Sequence, residues 1–146
     1  SLGLPEYALL ESLAAAIGPD AQPTDSASVA RAEAYLRAAS IHPEYARLHD
    51  LDAARSLVRA AAVAEALQVE LGLAETIDGV HFVEGSIWSP TDRRVNTLVL
   101  TVRDAAGDEE SFEMWGVPAG DARSFWWITR LERGPLTARV KRIQVF

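Results

Sequence analysis

Every Trp and Phe of this chain lies in its second half. Trp88, Trp115, Trp126 and Trp127, with Phe82, Phe112, Phe125 and Phe146, all follow Ile77. The residues before that point are Ala-rich, and Tyr7, Tyr35 and Tyr45 are their only aromatics. Small residues let helices approach closely, whereas large aromatics fill the wider gap beneath a sheet. The expected fold class is therefore α+β within one domain, residues 1–146. A layer of three to four helices (1–77) is expected to precede a five-stranded antiparallel meander (78–146).

Helix signals are clear in the first part. Pro5 suits a first helical turn and Gly18-Pro19 stops one, so 4–17 reads as the first helix. Asp25 or Ser26 can cap a second helix reaching about Ala39, and Pro43 opens a short turn of helix. The longest element runs from Leu51 to Leu71 and stops at Gly72. Its middle, Ala60-Ala61-Ala62-Val63-Ala64, has no polar face, which predicts a long buried central helix with helices on one side and the sheet on the other.

Strands are expected at 80–88, 94–103, 110–117, 124–131 and 136–146, separated by turn-forming Gly, Pro and Asp. The second is the plainest, since Leu98, Leu100 and Val102 alternate with Thr97, Thr101 and Arg103. In the fourth, Phe125 and Trp127 point one way and Trp126 and Ile128 the other. A long helix running into a meander resembles the element order of cone-shaped folds of the cystatin-like and nuclear-transport-factor-like kinds, over residues 50–146. The resemblance implies a curved sheet gripping a helix. The second family usually inserts a strand between helices that is not visible here, and no functional residue carries across.

Composition excludes several classes. With no Cys, the chain has no disulfide, thiolate nucleophile or Cys-ligated metal. The net charge of −7 opposes general affinity for nucleic acid. That charge is uneven: residues 1–77 hold eleven acids and five Arg, giving −6, and 78–146 hold ten acids and nine bases, giving −1. No apolar run reaches the ~20 residues needed to span a bilayer. Heavy Ala and Arg usage suits a GC-rich, bacterial genome. A cytoplasmic setting is slightly favoured, while the start at Ser1 rather than Met leaves room for an excised domain or a removed leader or anchor.

Neither G-x-S-x-G, G-x-G-x-x-G nor a P-loop occurs, and no cofactor is implied. His42 and His49, with Glu44, Asp50 and Asp52, could supply metal ligands, but their spacing matches no zinc signature and they read as loop or cap residues, so no metal is expected. His81 is the best acid–base candidate, with Asp78 to orient it; a half-buried structural His is the simpler reading. The aromatics give the leading functional expectation. Trp88, Trp115, Trp126 and Arg130 are read as binding residues on an aromatic–Arg face of the sheet, in a non-catalytic interaction or assembly domain whose partner is another protein or its own copy. The alternative is a cone-fold binder of a small apolar ligand, or a small enzyme, with His81 in a Trp-lined pocket. Acids at Asp104, Asp108, Glu109, Glu110 and Glu113 are expected to pair across strands with the Arg-rich end, which makes a nucleic-acid platform the weakest reading.

Overall fold

The computed structural model describes residues 4–18 and 20–145; the expectations for Pro19 and Phe146 lie outside them. The class is α+β. Helices α1 (Leu4–Ala16), α2 (Ser26–Ile41) and α3 (Leu48–Ala66), with a 3-10 turn at Pro43–Tyr45, precede six strands. These are β1 (Gln68–Glu75), β2 (His81–Trp88), β3 (Val95–Arg103), β4 (Glu109–Val117), β5 (Ala122–Ile128) and β6 (Thr137–Val145). Contacts divide the chain into two compact units between Ala62 and Val63.

In the helical unit, Ala32, Ala39 and Ala54 are buried with Leu10, Tyr35 and Leu57, so small side chains do form the close helix contacts. Asp25 caps α2: its carboxylate accepts from Ala27 N at 3.2 Å and Ser28 Oγ at 2.7 Å. The hydrogen bond from Ser28 holds the Asp25 carboxyl below its ordinary value.

The long buried central helix is corrected. It ends at Ala66, and of its apolar middle Ala60 and Val63 are buried while Ala62 is exposed and Ala61 and Ala64 are only half-buried. An exposed Ala leaves little apolar surface in water and is the best helix former, so an Ala run signals helicity rather than burial.

The second unit departs from a five-stranded meander in two ways. Residues 68–75 form a strand rather than the end of a helix, which makes six. The strands also build two antiparallel sheets of three, ordered β1-β2-β5 and β4-β3-β6. The segments after β2 and after β4 do not make hairpins. They run side by side, bridged at Ser89 and Ala119, and each carries the chain from one sheet to the other. Val83 and Ile87 of β2 share one buried cluster with Leu98, Leu100, Val102, Phe112, Met114 and Ile143 of the other sheet. The sheets therefore pack face to face. Leu98, Leu100 and Val102 point inward as their alternation predicts, into the cluster they share with Val83 and Ile87 of the partner sheet.

Asp104 joins two loops of this unit. Its Oδ1 accepts from Ala106 N and Asp108 N at 3.0 Å, and its Oδ2 accepts from Glu132 N at 3.4 Å. Burial opposes ionisation of this carboxyl, yet the backbone N–H groups outweigh it and hold its pKa below the ordinary value. A depressed folded-state pKa gives stability that is complete above the ordinary value, about 4, and is lost as pH falls through the lower folded-state value. Asp104→Asn should therefore narrow its stability gap from wild type between about pH 6 and about pH 2. Urea midpoints at both pH values check this; a gap that does not change with pH would remove the charge from the account.

Candidate functional site

The β1-β2-β5 sheet has one face turned to the core and one turned outward. Strand pairing sets the outward rows: Gln68–Trp88–Ala122, Glu70–Ser86–Ser124, Gly72–Glu84–Trp126 and Ala74–Phe82–Ile128. Alternation makes this face unavoidable, because β5 must turn Trp126 and Ile128 outward to turn Phe125 and Trp127 inward. Trp126 is 67% exposed and Ile128 69% exposed. Trp126 meets Phe82 edge-to-face, with ring centroids 6.2 Å apart.

These side chains wall a groove of about 950 Å³ that also takes in Val80 of the β1–β2 turn. Its floor is bare where Gly72, Ser86 and Ser124 stand, and a Cβ at Gly72 would meet nothing within 4 Å. Three carboxylates, Glu70, Asp78 and Glu84, line it, and no Lys, Arg or His stands among the described lining residues. A surface with this make-up can take an apolar group against Phe82, Trp126 and Ile128 and a cation beside Glu84.

The structure separates the residues that the sequence grouped. Trp126 lines the groove. Trp88, 39% exposed, lies on the same sheet face two rows away. Trp115 is on the outer face of the other sheet, paired with Thr97, and shares with Trp126 a smaller cleft of about 260 Å³ between β4 and β5. Arg130 follows the end of β5; its backbone N–H donates to Glu110 Oε1, and it is not among the groove's lining residues. Asp78 stands in the groove wall. His81 does not line it, and its Nε2 lies 3.6 Å from Glu75 Oε2 rather than beside Asp78. His42 pairs with Glu44 at 3.6 Å, and among the described residues no group of three or more His, Asp or Glu could hold a metal ion. Arg103 and Arg139 both reach Glu109, at 3.9 and 3.8 Å; of the five acids expected to pair with the Arg-rich end, Glu109 does so through Arg139, whereas Asp104 and Glu110 accept from backbone N–H groups. Phe82, Ile128 and Glu84 were missed as site residues. The signal for them was available in the alternation of β2, where Phe82, Glu84 and Ser86 share a face, and in that of β5, where Ile128 shares one with Trp126.

Fold and site together define an α+β chain with a helical unit and a two-sheet unit that bears an exposed apolar, acid-lined groove. No protein-family model matches the chain, and no curated protein matches it. Among solved structures it is similar to one described as "X-ray structure of Northeast Structural Genomics Consortium target SoR45", at 12% identity over 57% of this chain and 86% of that one, with a TM-score of 0.33. A likeness that distant carries no functional argument. No helix among the described residues is long and apolar enough to cross a membrane.

Proposed function

We propose that this protein is a non-catalytic interaction domain whose working surface is the outer face of the β1-β2-β5 sheet. One observation carries the reading: Trp126, the most exposed aromatic of that sheet, stands beside Phe82 and Ile128 in an open groove. Leaving such side chains in water forgoes burial worth roughly 1.5–3 kcal/mol each, and exposed aromatics of this kind anchor interfaces. The carboxylates set the partner's chemistry. Glu70, Asp78 and Glu84 favour a segment that alternates apolar and basic residues. The Arg component of the expected face is not needed by this reading, since the groove's own charge is negative.

Binding of a labelled, extended peptide of alternating Leu and Arg, read by fluorescence anisotropy, tests the proposal. Trp126→Ala should weaken it by about 2 kcal/mol, roughly 30-fold, and Gly72→Val should weaken it by filling the groove floor. Both variants should keep the wild-type melting temperature to within a few degrees, because neither side chain is part of the core. Equal binding of a Leu–Glu peptide, or no effect of Trp126→Ala, would defeat the reading. The groove's volume also suits a small apolar ligand, which supports the second reading. That reading gains ground if a small arylalkyl ammonium competes with no peptide yet binds in a Gly72-sensitive way.

A further inference from the structure

β5 is the edge strand least defended against pairing. The two sheets leave four edges, β1, β5, β4 and β6. β1 carries Glu70 and Glu75, and β4 carries Glu109, Glu110 and Glu113. β6 carries Arg139, Lys141 and Arg142, and its register against β3 is irregular. Charges and bulges of this kind blunt an edge. β5, ARSFWWI, has neither Pro nor bulge in its register with β2, and Arg123 is its only charge. In an antiparallel strand paired on one side, alternate residues turn their N–H and C=O groups to the open side. No strand among the described residues pairs with that side of β5, although the Ala122 N–H at its start donates to Asp121 Oδ1 at 2.8 Å.

The outward side chains of β5 also have an order. Ala122 and Ser124 are small, and Trp126 and Ile128 are large. An antiparallel copy of the same strand, related by a two-fold axis at Phe125, would set Trp126 opposite Ser124 of the copy and Ile128 opposite Ala122. Large side chains then meet small ones along the whole row. Arg123 falls opposite Trp127 of the copy rather than opposite itself, so no like charges face each other directly.

We infer that β5 pairs antiparallel with β5 of a second copy of this chain, joining two three-stranded sheets into one of six. This rests on the reading of the β1-β2-β5 sheet as the interacting element; the pairing uses its β5 edge and leaves the acid-lined groove free for the apolar and basic segment. The pairing would set two grooves on one continuous face, with Trp126 of each copy nearest the join.

Sedimentation velocity on the full chain between roughly 1 μM and 1 mM tests the inference. Wild type is expected to show reversible dimerisation. Ser124→Trp, which sets large against large, and Trp126→Ser, which sets small against small, should each weaken it at least about 10-fold. The double variant, Ser124→Trp with Trp126→Ser, restores large against small and should recover the dimer to within about 3-fold of wild type. Circular dichroism on all four proteins confirms that the exposed substitutions leave the fold intact. A wild type that stays monomeric throughout, a dimer indifferent to both single variants, or a double variant no better than the singles each overturns the pairing. Gly72→Val separates this outcome from the groove reading. A monomeric wild type that still binds the Leu–Arg peptide in a Gly72-sensitive way would remove the pairing and leave the groove. A dimer that binds no peptide would do the reverse.

Discussion

Gly85→Ala is expected to cost about 3 kcal/mol or more, the upper range for overpacking, and to lower the melting temperature by roughly 10 °C. Gly85 pairs with Leu71 on one side and Phe125 on the other, at the middle of the central strand of its sheet. There β1 lies so close that an added Cβ would collide with the Glu70 carbonyl oxygen and stand 2.9 Å from its carbon and 3.1 Å from Leu71 Cα. All three atoms belong to the backbone. A flexible side chain could swing aside, but here a whole strand has to move and its ladder of hydrogen bonds with it. The displaced strand is also the groove wall that carries Glu70 and Gly72, so peptide binding should fall with stability. Gly72→Ala is the control: the same change in the same hairpin, into open space, should be neutral or mildly stabilising. Amide exchange should quicken along 68–75 and 81–88 in Gly85→Ala while 95–117 stays protected. Equal melting temperatures for the two glycine variants would show that β1 does not press on β2 at this point.

How far the fold could be read from residues depended on side-chain size. Leu98, Leu100 and Val102 alternate with polar residues, each would be costly to expose, and their inward set was plain. The Ala run of α3 misled because Ala is cheap to expose, so an apolar stretch of it says helix and nothing about surroundings. β1 was hidden by continuity. Val69, Leu71 and Leu73 alternate with Gln68, Glu70 and Gly72, but they follow a helix with no break, and Gly72 passed for its C-cap. The division into two sheets was not legible, because a short connection fixes only that consecutive strands lie near each other. It does not say whether they share a ladder or cross from layer to layer.

The site was legible in part for a related reason. Alternation alone places Trp126 and Ile128 opposite Phe125 and Trp127, and the structure turns the first pair outward. Which aromatics share a surface depends on strand order and register. Neither could be read, so Trp115, Trp88 and Arg130 were grouped with Trp126 although they lie on the other sheet, two rows away and past the strand end. His81 drew attention to Asp78 through nearness in sequence, whereas pairing of β1 with β2 sets Glu75 opposite His81. Sequence proximity is a poor guide wherever a hairpin brings a second strand alongside.

The sharpest contrast in the molecule is between two neighbouring Trp residues. Trp127→Ala is expected to destabilise the fold by about 4 kcal/mol, while Trp126→Ala changes stability by less than about 1 kcal/mol. Trp127 stacks between two Phe rings: Phe112 of the opposite sheet, with centroids 4.8 Å apart and planes 6° from parallel, and Phe125, 4.4 Å away at 22°. Each such pair adds about 0.5–1.5 kcal/mol beyond burial, and this stack ties β5 to β4 where no backbone ladder does. Trp127→Ala removes both stacks at once and leaves a hole the two Phe rings cannot fill without moving their strands apart. Trp127→Phe keeps a ring in the slot and should recover more than half of the loss. Chemical denaturation of the three variants gives the stabilities, and near-ultraviolet circular dichroism should lose its aromatic signature in Trp127→Ala and keep it in Trp126→Ala. If the two alanine variants are equally stable, the stack does not hold the sheets together. If instead Trp126→Ala proves the more destabilising at concentrations where the chain is monomeric, Trp126 is covered within its own chain, and the interaction face proposed for this sheet loses its anchor.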